Sequence, residues 1–430
     1  MSRVLIVGGG YMGAVAARRM QRPLARQGHE VVVVNPENFM TYQPFLPEAA
    51  SGNIEPRHVV VPLRPVLRHS SLIVGEVTSI DHAARAAGVT TLDGEEIEIP
   101  YDVVVIGAGS RSRILPVPGL SHMGVGFKTV TEAIYLRNFI LSRLEVAAET
   151  KDPERRRSAL TFVFVGGGYS GVEALAELED LVRHALRYYP TIDVRETRWL
   201  LVEAAPSILP EIGSDLAAYA IRRLEQRDIE VKLSTRLDSA EGGVMRLSDG
   251  DQFPADTLVW TTGVKAETIA ARSGFPVDDM GRALTDEFLR VKGLDDAWAA
   301  GDCAAVPDLV TGRMCPPTAQ YALRQARRLA DNLVGVMNGK DPKEFRYHNR
   351  GQMVSLGRYR GVAKAFRFKL RGLPAWVLHR SYHLWEMPTV GRKVRIVADW
   401  TVGLFFPRDI TQLGSLQHPR EPFRRAAGEE

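Results

Sequence analysis

Six glycines, spaced alike in two places, are the residues of this 430-residue chain whose types and intervals point most directly to chemistry. Gly8, Gly10 and Gly13 form one G-x-G-x-x-G, and Gly166, Gly168 and Gly171 form a second. Such a triplet carries no reactive group; its contribution is room. The first glycine permits a tight turn, the second lets a pyrophosphate approach the backbone, and the third lets a helix pack close to a strand. The N–H groups at the start of that helix, with their partial positive charge, then face the phosphates. The pattern has this meaning only between a strand and a helix. Val4 to Val7 is an apolar run before the first triplet and an alanine-rich stretch follows it; Leu160 to Val165 and Val172 onward frame the second in the same way. Both contexts predict a bound dinucleotide.

Polar residues at set intervals from the glycines refine this. The end of the next strand is where an acid usually holds the adenosine ribose hydroxyls, about 20 residues on. In the first copy that position is Asn35, a neutral amide that can still bond a hydroxyl. In the second it is Glu203, whose carboxylate accepts from both hydroxyls and repels a 2′-phosphate; Ala204-Ala205-Pro206 offers no arginine to that phosphate, so NADH is favoured over NADPH. Glu173, two residues past Gly171, reads either as a helix-start charge stabilised by the dipole or as a carboxylate near the nicotinamide end, able to orient the ring or help protonate an acceptor. Gly107 and Gly263 each follow a buried strand, 99 residues after Gly8 and 97 after Gly166, and read as matching landmarks of the two copies. Gly301-Asp302 closes a late strand. His379 and His383 are four apart on a helical stretch; a metal would need a third ligand, and packing is the simpler reading.

The elements that must position these residues follow an alternating strand–helix plan, which predicts an α/β fold with parallel sheets. The expected architecture is two Rossmann-type dinucleotide-binding domains, the second inserted in the first: residues 1–120 with 275–344, then 121–274. A third region follows at 345–430. Within them the sequence predicts meanders turning at Asp93-Gly94 and Asp249-Gly250. It also predicts helices from about Thr131 to Glu149, Val172 to Tyr188, Asp215 to Arg227 and Thr318 to Met337. Phe39 to Pro47 reads as a proline-punctuated loop and Lys151 to Arg157 as a charged linker. No run of about 18 apolar residues argues for a spanning helix, and the short apolar start leads straight into a glycine turn, so a cytoplasmic start without a secretory signal is expected. Cys303 and Cys315 lie too far apart for a C-x-x-C pair. Residues 340–430 hold 18 Lys and Arg against 8 Asp and Glu, so a basic tail joins an acidic body and fits an anionic surface.

Gly301-Asp302, beside two fingerprints and two strand–glycine landmarks, resembles the two-dinucleotide-fold flavoprotein superfamily. The resemblance implies that Asp302 bonds the ribityl chain of FAD. It also implies that Gly8, Gly10, Gly13, Asn35 and Gly107 belong to the FAD fold, and Gly166, Gly168, Gly171, Glu203 and Gly263 to the NADH fold. Many members work through a redox-active cysteine pair, and this sequence lacks one. Within the superfamily the chain is similar to type II NADH dehydrogenase, the single-subunit NADH:quinone oxidoreductase. Pro317-Thr318-Ala319-Gln320-Tyr321-Ala322-Leu323-Arg324 follows that family's A-Q-x-A-x-Q, whose glutamines lie near flavin and quinone. Gln320 matches the first glutamine; Arg324 replaces the second, and Gln325 follows it. Gln320 and Arg324 share a helix face while Gln325 turns away. An arginine there can bind a carbonyl oxygen or accommodate a more acidic acceptor. Phe345-Arg346-Tyr347, Gly351 to Arg358, Gly372 to Leu378 and Asp399-Trp400 to Phe406 follow the family's tail, which forms its membrane-binding module and a wall of the quinone entrance. Trp376, Trp385, Trp400, Phe405 and Phe406 among basic residues suit an interfacial, non-spanning contact. The resemblance therefore implies an FAD-dependent enzyme of the respiratory chain that oxidises NADH and reduces quinone on the inner face of the cell membrane, with a homodimer through the tail a common arrangement. Alternatives are a relative with another acceptor, such as a sulfide-linked or soluble partner, or a flavin-bearing scaffold protein resembling apoptosis-inducing factor.

Overall fold

A computed structural model describes residues 1–348 and 351–412, so the end of the predicted C-terminal region lies outside the described residues. The chain divides into two compact units: residues 1–41, 60–113 and 263–348 in one, and 42–59, 114–262 and 351–412 in the other.

In the first unit the opening strand Arg3–Val7 lies between Glu30–Asn35 and Val103–Ile106, parallel to both. Seven strands form the sheet, in the order Ala297–Ala299, Val103–Ile106, Arg3–Val7, Glu30–Asn35, Ser71–Asp81, Ala86–Thr91 and Glu96–Pro100. The central strands are Val, Leu and Ile with almost no alternation because helices and loops cover both faces. The last three strands are the antiparallel meander that the sequence places there. Two helices, Tyr11–Ala25 and Ala319–Met337, pack against each other. The parallel register brings the carboxyl ends of Arg3–Val7, Glu30–Asn35 and Val103–Ile106 to one edge, where the first glycine turn sits.

The second unit repeats the plan with a five-stranded parallel sheet, in the order Gly124–Val125, Thr257–Trp260, Thr161–Val165, Arg198–Val202 and Ile229–Lys232. Val163, Val165, Leu200, Val202, Leu258 and Trp260 share a core with the small meander beside them. Helix Tyr169–Ala185 is buried along most of its length. Helix Val130–Glu149 starts in a capping box: Thr129 Oγ1 accepts from the Glu132 N–H at 3.1 Å, and Glu132 accepts in return from the Thr129 N–H at 2.8 Å.

Two stretches read as irregular are not. Lys151 to Arg157 contains the start of a helix, Pro153–Ala159, because Asp152 caps the Glu154 N–H at 2.9 Å and Pro153 takes the first helical position, where its missing N–H costs nothing. Phe39 to Pro47 holds a short strand, a 3₁₀ turn and the start of helix Leu46–Ala50, whose prolines stand at helix starts rather than breaking anything.

The C-terminal part of this unit is a three-stranded antiparallel sheet, Gly351–Ser355, Gly361–Ala365 and Phe368–Arg371, followed by helices Leu373–Glu386 and Val390–Phe405. The last helix buries one side chain, Ile396. Polar contacts attach it: His58 Nδ1 lies 2.6 Å from Asp399, and buried Glu48 accepts from Trp400 Nε1 at 2.8 Å while pairing with Arg380 at 2.6 Å. Among the described residues no helix is long and apolar enough to cross a membrane.

Candidate functional site

The two glycine turns are built by the same hydrogen bonds. Gly8 N–H donates to Val34 O at 2.8 Å and Gly166 N–H to Val202 O at 2.9 Å, tying each turn to the neighbouring strand. Both first glycines are left-handed, at φ +98° and +115°, which favours residues lacking a Cβ. A Cβ on Gly13 would run into the Gly8 carbonyl oxygen, and one on Gly171 into that of Gly166. At Gly10 and Gly168, which cap the two helices, a Cβ would meet nothing within 4 Å. Crowded outer glycines and an open middle one are the shape a pyrophosphate needs, so the residues present fit a dinucleotide in each unit.

The strand-end residues also correspond. Asn35 Oδ1 accepts from Gly9 N–H at 2.7 Å, and its amide nitrogen donates to Glu37 O at 2.7 Å. Glu203 accepts from Gly167 N–H at 2.5 Å and from Ala205 N–H at 2.7 Å. Each therefore fixes the glycine turn before meeting any ligand. A carboxylate has about four lone-pair positions, so Glu203 retains capacity for two ribose hydroxyls. Asn35, whose nitrogen already holds the following loop, has less to give.

The second landmark is shifted from the sequence expectation. Gly107 N–H donates to Val7 O at 2.8 Å, and its carbonyl occupies the place a Cβ on Gly8 would take. Thr261 has the corresponding position in the other turn: its N–H donates to Val165 O at 2.8 Å, and its hydroxyl reaches the carbonyls of Val165 at 3.0 Å and Gly166 at 3.2 Å. A small hydroxyl side chain can fold back on the turn, so this position needs no glycine. Gly263 lies two residues further on, left-handed at φ +102°, and accepts from Arg113 N–H at 3.1 Å.

Asp302 accepts from Ser110 Oγ at 2.7 Å. It follows Gly301, left-handed at φ +79°, whose N–H donates to Gln325 Oε1 at 2.8 Å. Gln325 is buried, and the bond explains why it turns away from the Gln320 face: it pins the turn that aims Asp302. On the other face, Gln320 accepts from the Tyr347 hydroxyl at 3.3 Å, and the Arg324 guanidinium lies 5.5 Å from the Tyr347 ring centre. Gln320 and Arg324 thus share a helix face, as their spacing requires.

Glu173 begins the second turn of its helix rather than the first, because the helix starts at Tyr169. The dipole argument is correspondingly weaker, and burial matters more. Its carboxylate accepts from Ser355 N–H at 2.8 Å and lies 3.0 Å from His379 Nε2, inside the second unit. His383 Nδ1 lies 3.3 Å from the Tyr42 hydroxyl. Burial, helped by the neighbouring His379 ring, holds His383 well below the ordinary imidazole range, so it is neutral. One turn along from Glu173, Glu177 is buried among Ser51, Asn53 and Ser355, and burial raises its pKa. None of these partners is near Glu173 in sequence, and no local signal announces them. Both cysteines are buried; burial pushes the Cys303 thiol up to about 11 and Cys315 up to about 12, opposite to what a redox thiolate needs. Among the described residues no group of three His, Cys, Asp or Glu is placed to hold a metal ion.

Two glycine cradles with an aimed Gly-Asp turn define the class: a flavoprotein with two dinucleotide folds. The profile of the pyridine nucleotide-disulphide oxidoreductase family matches residues 2–326. A type II NADH:quinone oxidoreductase, Ndh, of Mycobacterium tuberculosis is 30% identical over 421 residues, covering 93% of this chain and 87% of the relative. A type II NADH:quinone oxidoreductase of Staphylococcus aureus is 30% identical over 378 residues, covering 87% of this chain and 92% of its own. The fold matches that of Plasmodium falciparum NDH2, solved with NADH, at a TM-score of 0.89 and 16% identity over 95% of this chain and 99% of that one. The chain belongs to the pyridine nucleotide-disulphide oxidoreductases and, among them, to the type II NADH:quinone oxidoreductases.

Proposed function

We propose that the residues of the two cradles divide between the cofactors of an FAD-dependent NADH:quinone oxidoreductase, and that the C-terminal helices seat the enzyme on a membrane. The enzyme oxidises NADH and passes two electrons to a quinone. Bound FAD supplies the redox chemistry, accepting a hydride equivalent and giving up two electrons. The observation that carries the assignment is the difference between two otherwise matching turns. Glu203 offers a carboxylate with spare acceptor capacity, suited to the two ribose hydroxyls of NADH; Asn35 is a largely committed amide that offers FAD fewer contacts, and Asp302 supplies a carboxylate in the same unit.

Gly8, Gly10, Gly13, Asn35, Gly107 and Asp302 would hold FAD, and Gly166, Gly168, Gly171, Glu203 and Gly263 NADH. Gln320 and Arg324 face the acceptor, where an amide N–H and a guanidinium can donate to a quinone carbonyl. Glu173, buried against His379, would orient the nicotinamide or help protonate an acceptor. Reduction of a quinone to a quinol by NADH takes up one proton beyond the transferred hydride, and a carboxylate is a group able to pass one on. Helix Val390–Phe405 exposes Val390, Val394, Leu404 and Phe405 around a basic stretch, Arg392, Lys393 and Arg395, with Trp385 exposed on the helix before it. This composition fits an anionic inner membrane face contacted without spanning it, and the same apolar face could be shared between two copies. Purified protein should show flavin absorbance that bleaches anaerobically with NADH and returns on adding a short-chain menaquinone or ubiquinone. A preparation reduced by NADH but not reoxidised by any quinone would overturn the acceptor assignment.

A further inference from the structure

We infer that Tyr347 is a positioning residue for the acceptor half of the reaction, setting Gln320 and Arg324 together; this rests on the reading that those two residues face the quinone. Long side chains have several rotatable bonds, and ordering them costs conformational entropy that a shared restraint offsets. Tyr347 makes both contacts at once. Its hydroxyl donates to Gln320 Oε1 at 3.3 Å, and its ring lies 5.5 Å from the Arg324 guanidinium, within cation–π range.

Tyr347 is itself held. Tyr321 meets its ring edge-on at 5.1 Å, and the Tyr321 hydroxyl donates to buried Asp308 at 3.3 Å. The segment carrying Tyr347 is fastened along the same helix that carries Gln320. Asn332 accepts from Lys343 N–H at 2.9 Å and donates to Lys343 O at 2.8 Å, and Phe345 N–H donates to Glu287 O at 2.7 Å. A sequence of fixed contacts thus runs from Asp308 through Tyr321 and Tyr347 to both acceptor residues, all within one compact unit. A core tyrosine with no role in the reaction would not need its hydroxyl on one of these side chains and its ring face under the other.

The test uses the FAD-loaded full chain with Tyr347→Phe, which keeps the ring and loses the hydroxyl, and Tyr347→Leu, which loses both. Two readouts are taken: binding of a non-reducible quinone analogue to oxidised enzyme by calorimetry, and the separate rates of flavin reduction by NADH and reoxidation by quinone. Tyr347→Phe should weaken analogue binding and slow reoxidation by about 3- to 10-fold, the size of one neutral hydrogen bond. Tyr347→Leu should cost about tenfold more, and flavin reduction by NADH should stay within twofold in both. In a Gln320→Ala background, Tyr347→Phe should add nothing. If its full loss appears again in that background, or if NADH reduction slows equally, Tyr347 does not act through Gln320 and the inference falls alone. If Gln320→Ala and Arg324→Ala leave analogue binding and reoxidation unchanged, the acceptor-site reading itself fails and takes the inference with it.

Discussion

Replacing Glu203 with Gln should move the enzyme's preference away from NADH by about two orders of magnitude. The carboxylate spends two of its four lone-pair positions on Gly167 and Ala205, leaving two for ribose hydroxyls. Hydrogen bonds to a charged acceptor contribute about 1.5–3 kcal/mol, so losing the charge should lower kcat/KM for NADH by about 10- to 100-fold. For NADPH the lost ribose bond is offset by relief of repulsion. At about 5 Å, the reach of a phosphate replacing a bonded hydroxyl, and an effective dielectric of about 20, that repulsion is roughly 3 kcal/mol per unit charge before salt screening, so kcat/KM for NADPH should hold or rise up to about tenfold. The turn should survive, since an amide oxygen can hold its N–H as Asn35 Oδ1 does for Gly9 at 2.7 Å. Steady-state kinetics with both nucleotides at saturating quinone measure the ratio. A correctly folded variant whose NADH/NADPH ratio stays within twofold of wild type would refute the assignment of this carboxylate to the ribose.

The glycines separate stability from binding. Gly168→Ala, with open space at the added methyl, should leave Tm within a few degrees yet raise KM for NADH strongly, whereas Gly171→Ala drives a methyl into the Gly166 carbonyl and should lower Tm or abolish expression. Exchanging Trp385 and Phe405 for Glu should abolish co-flotation with anionic vesicles while NADH reduction of the flavin is unchanged; retained flotation would place the membrane contact elsewhere. His383 is neutral in the fold but charges in the unfolded chain below its ordinary value of 6.5, so the unfolded state binds more protons and stability falls as pH drops through that value. His383→Phe should flatten the loss by up to about 1.4 kcal/mol per pH unit below pH 6.5, read from urea unfolding; an unchanged slope would mean the imidazole is protonated in the native state.

What could be read in advance was what short-range rules control. The two glycine turns, the meander turns at Asp93-Gly94 and Asp249-Gly250, the helix from Ala319 and the shared face of Gln320 and Arg324 all follow from periodicity and glycine stereochemistry. The short helix after Asp152 was hidden because its charged residues read as a solvated linker, although the cap and the proline were both in view. Thr261 was missed because a hydroxyl can do locally what a glycine does by absence, which shifted the landmark to Gly263. The partners of Glu173 at Ser355 and His379 lie 182 and 206 positions away, and Tyr347 meets Gln320 where the chain turns back beside Asn332, which bonds Lys343. Contacts of that kind are set by tertiary packing, and single-sequence periodicity does not encode them.

The helix Ala319–Met337 carries Gln320 and Arg324 on one side and Gln325, which orients Asp302 through Gly301, on another. Gln320 and Gln325 are five residues apart, about 7.5 Å along a rigid axis. Any sliding or rotation of that rod would move the Gly301-Asp302 turn, proposed to hold the flavin's sugar-alcohol chain, and the proposed acceptor residues together. On the proposed roles, the spacing of the two functions is set by covalent helix geometry rather than by a loop, and a change at Gln325, which holds Gly301, should loosen flavin while changes at Gln320 or Arg324 should slow reoxidation.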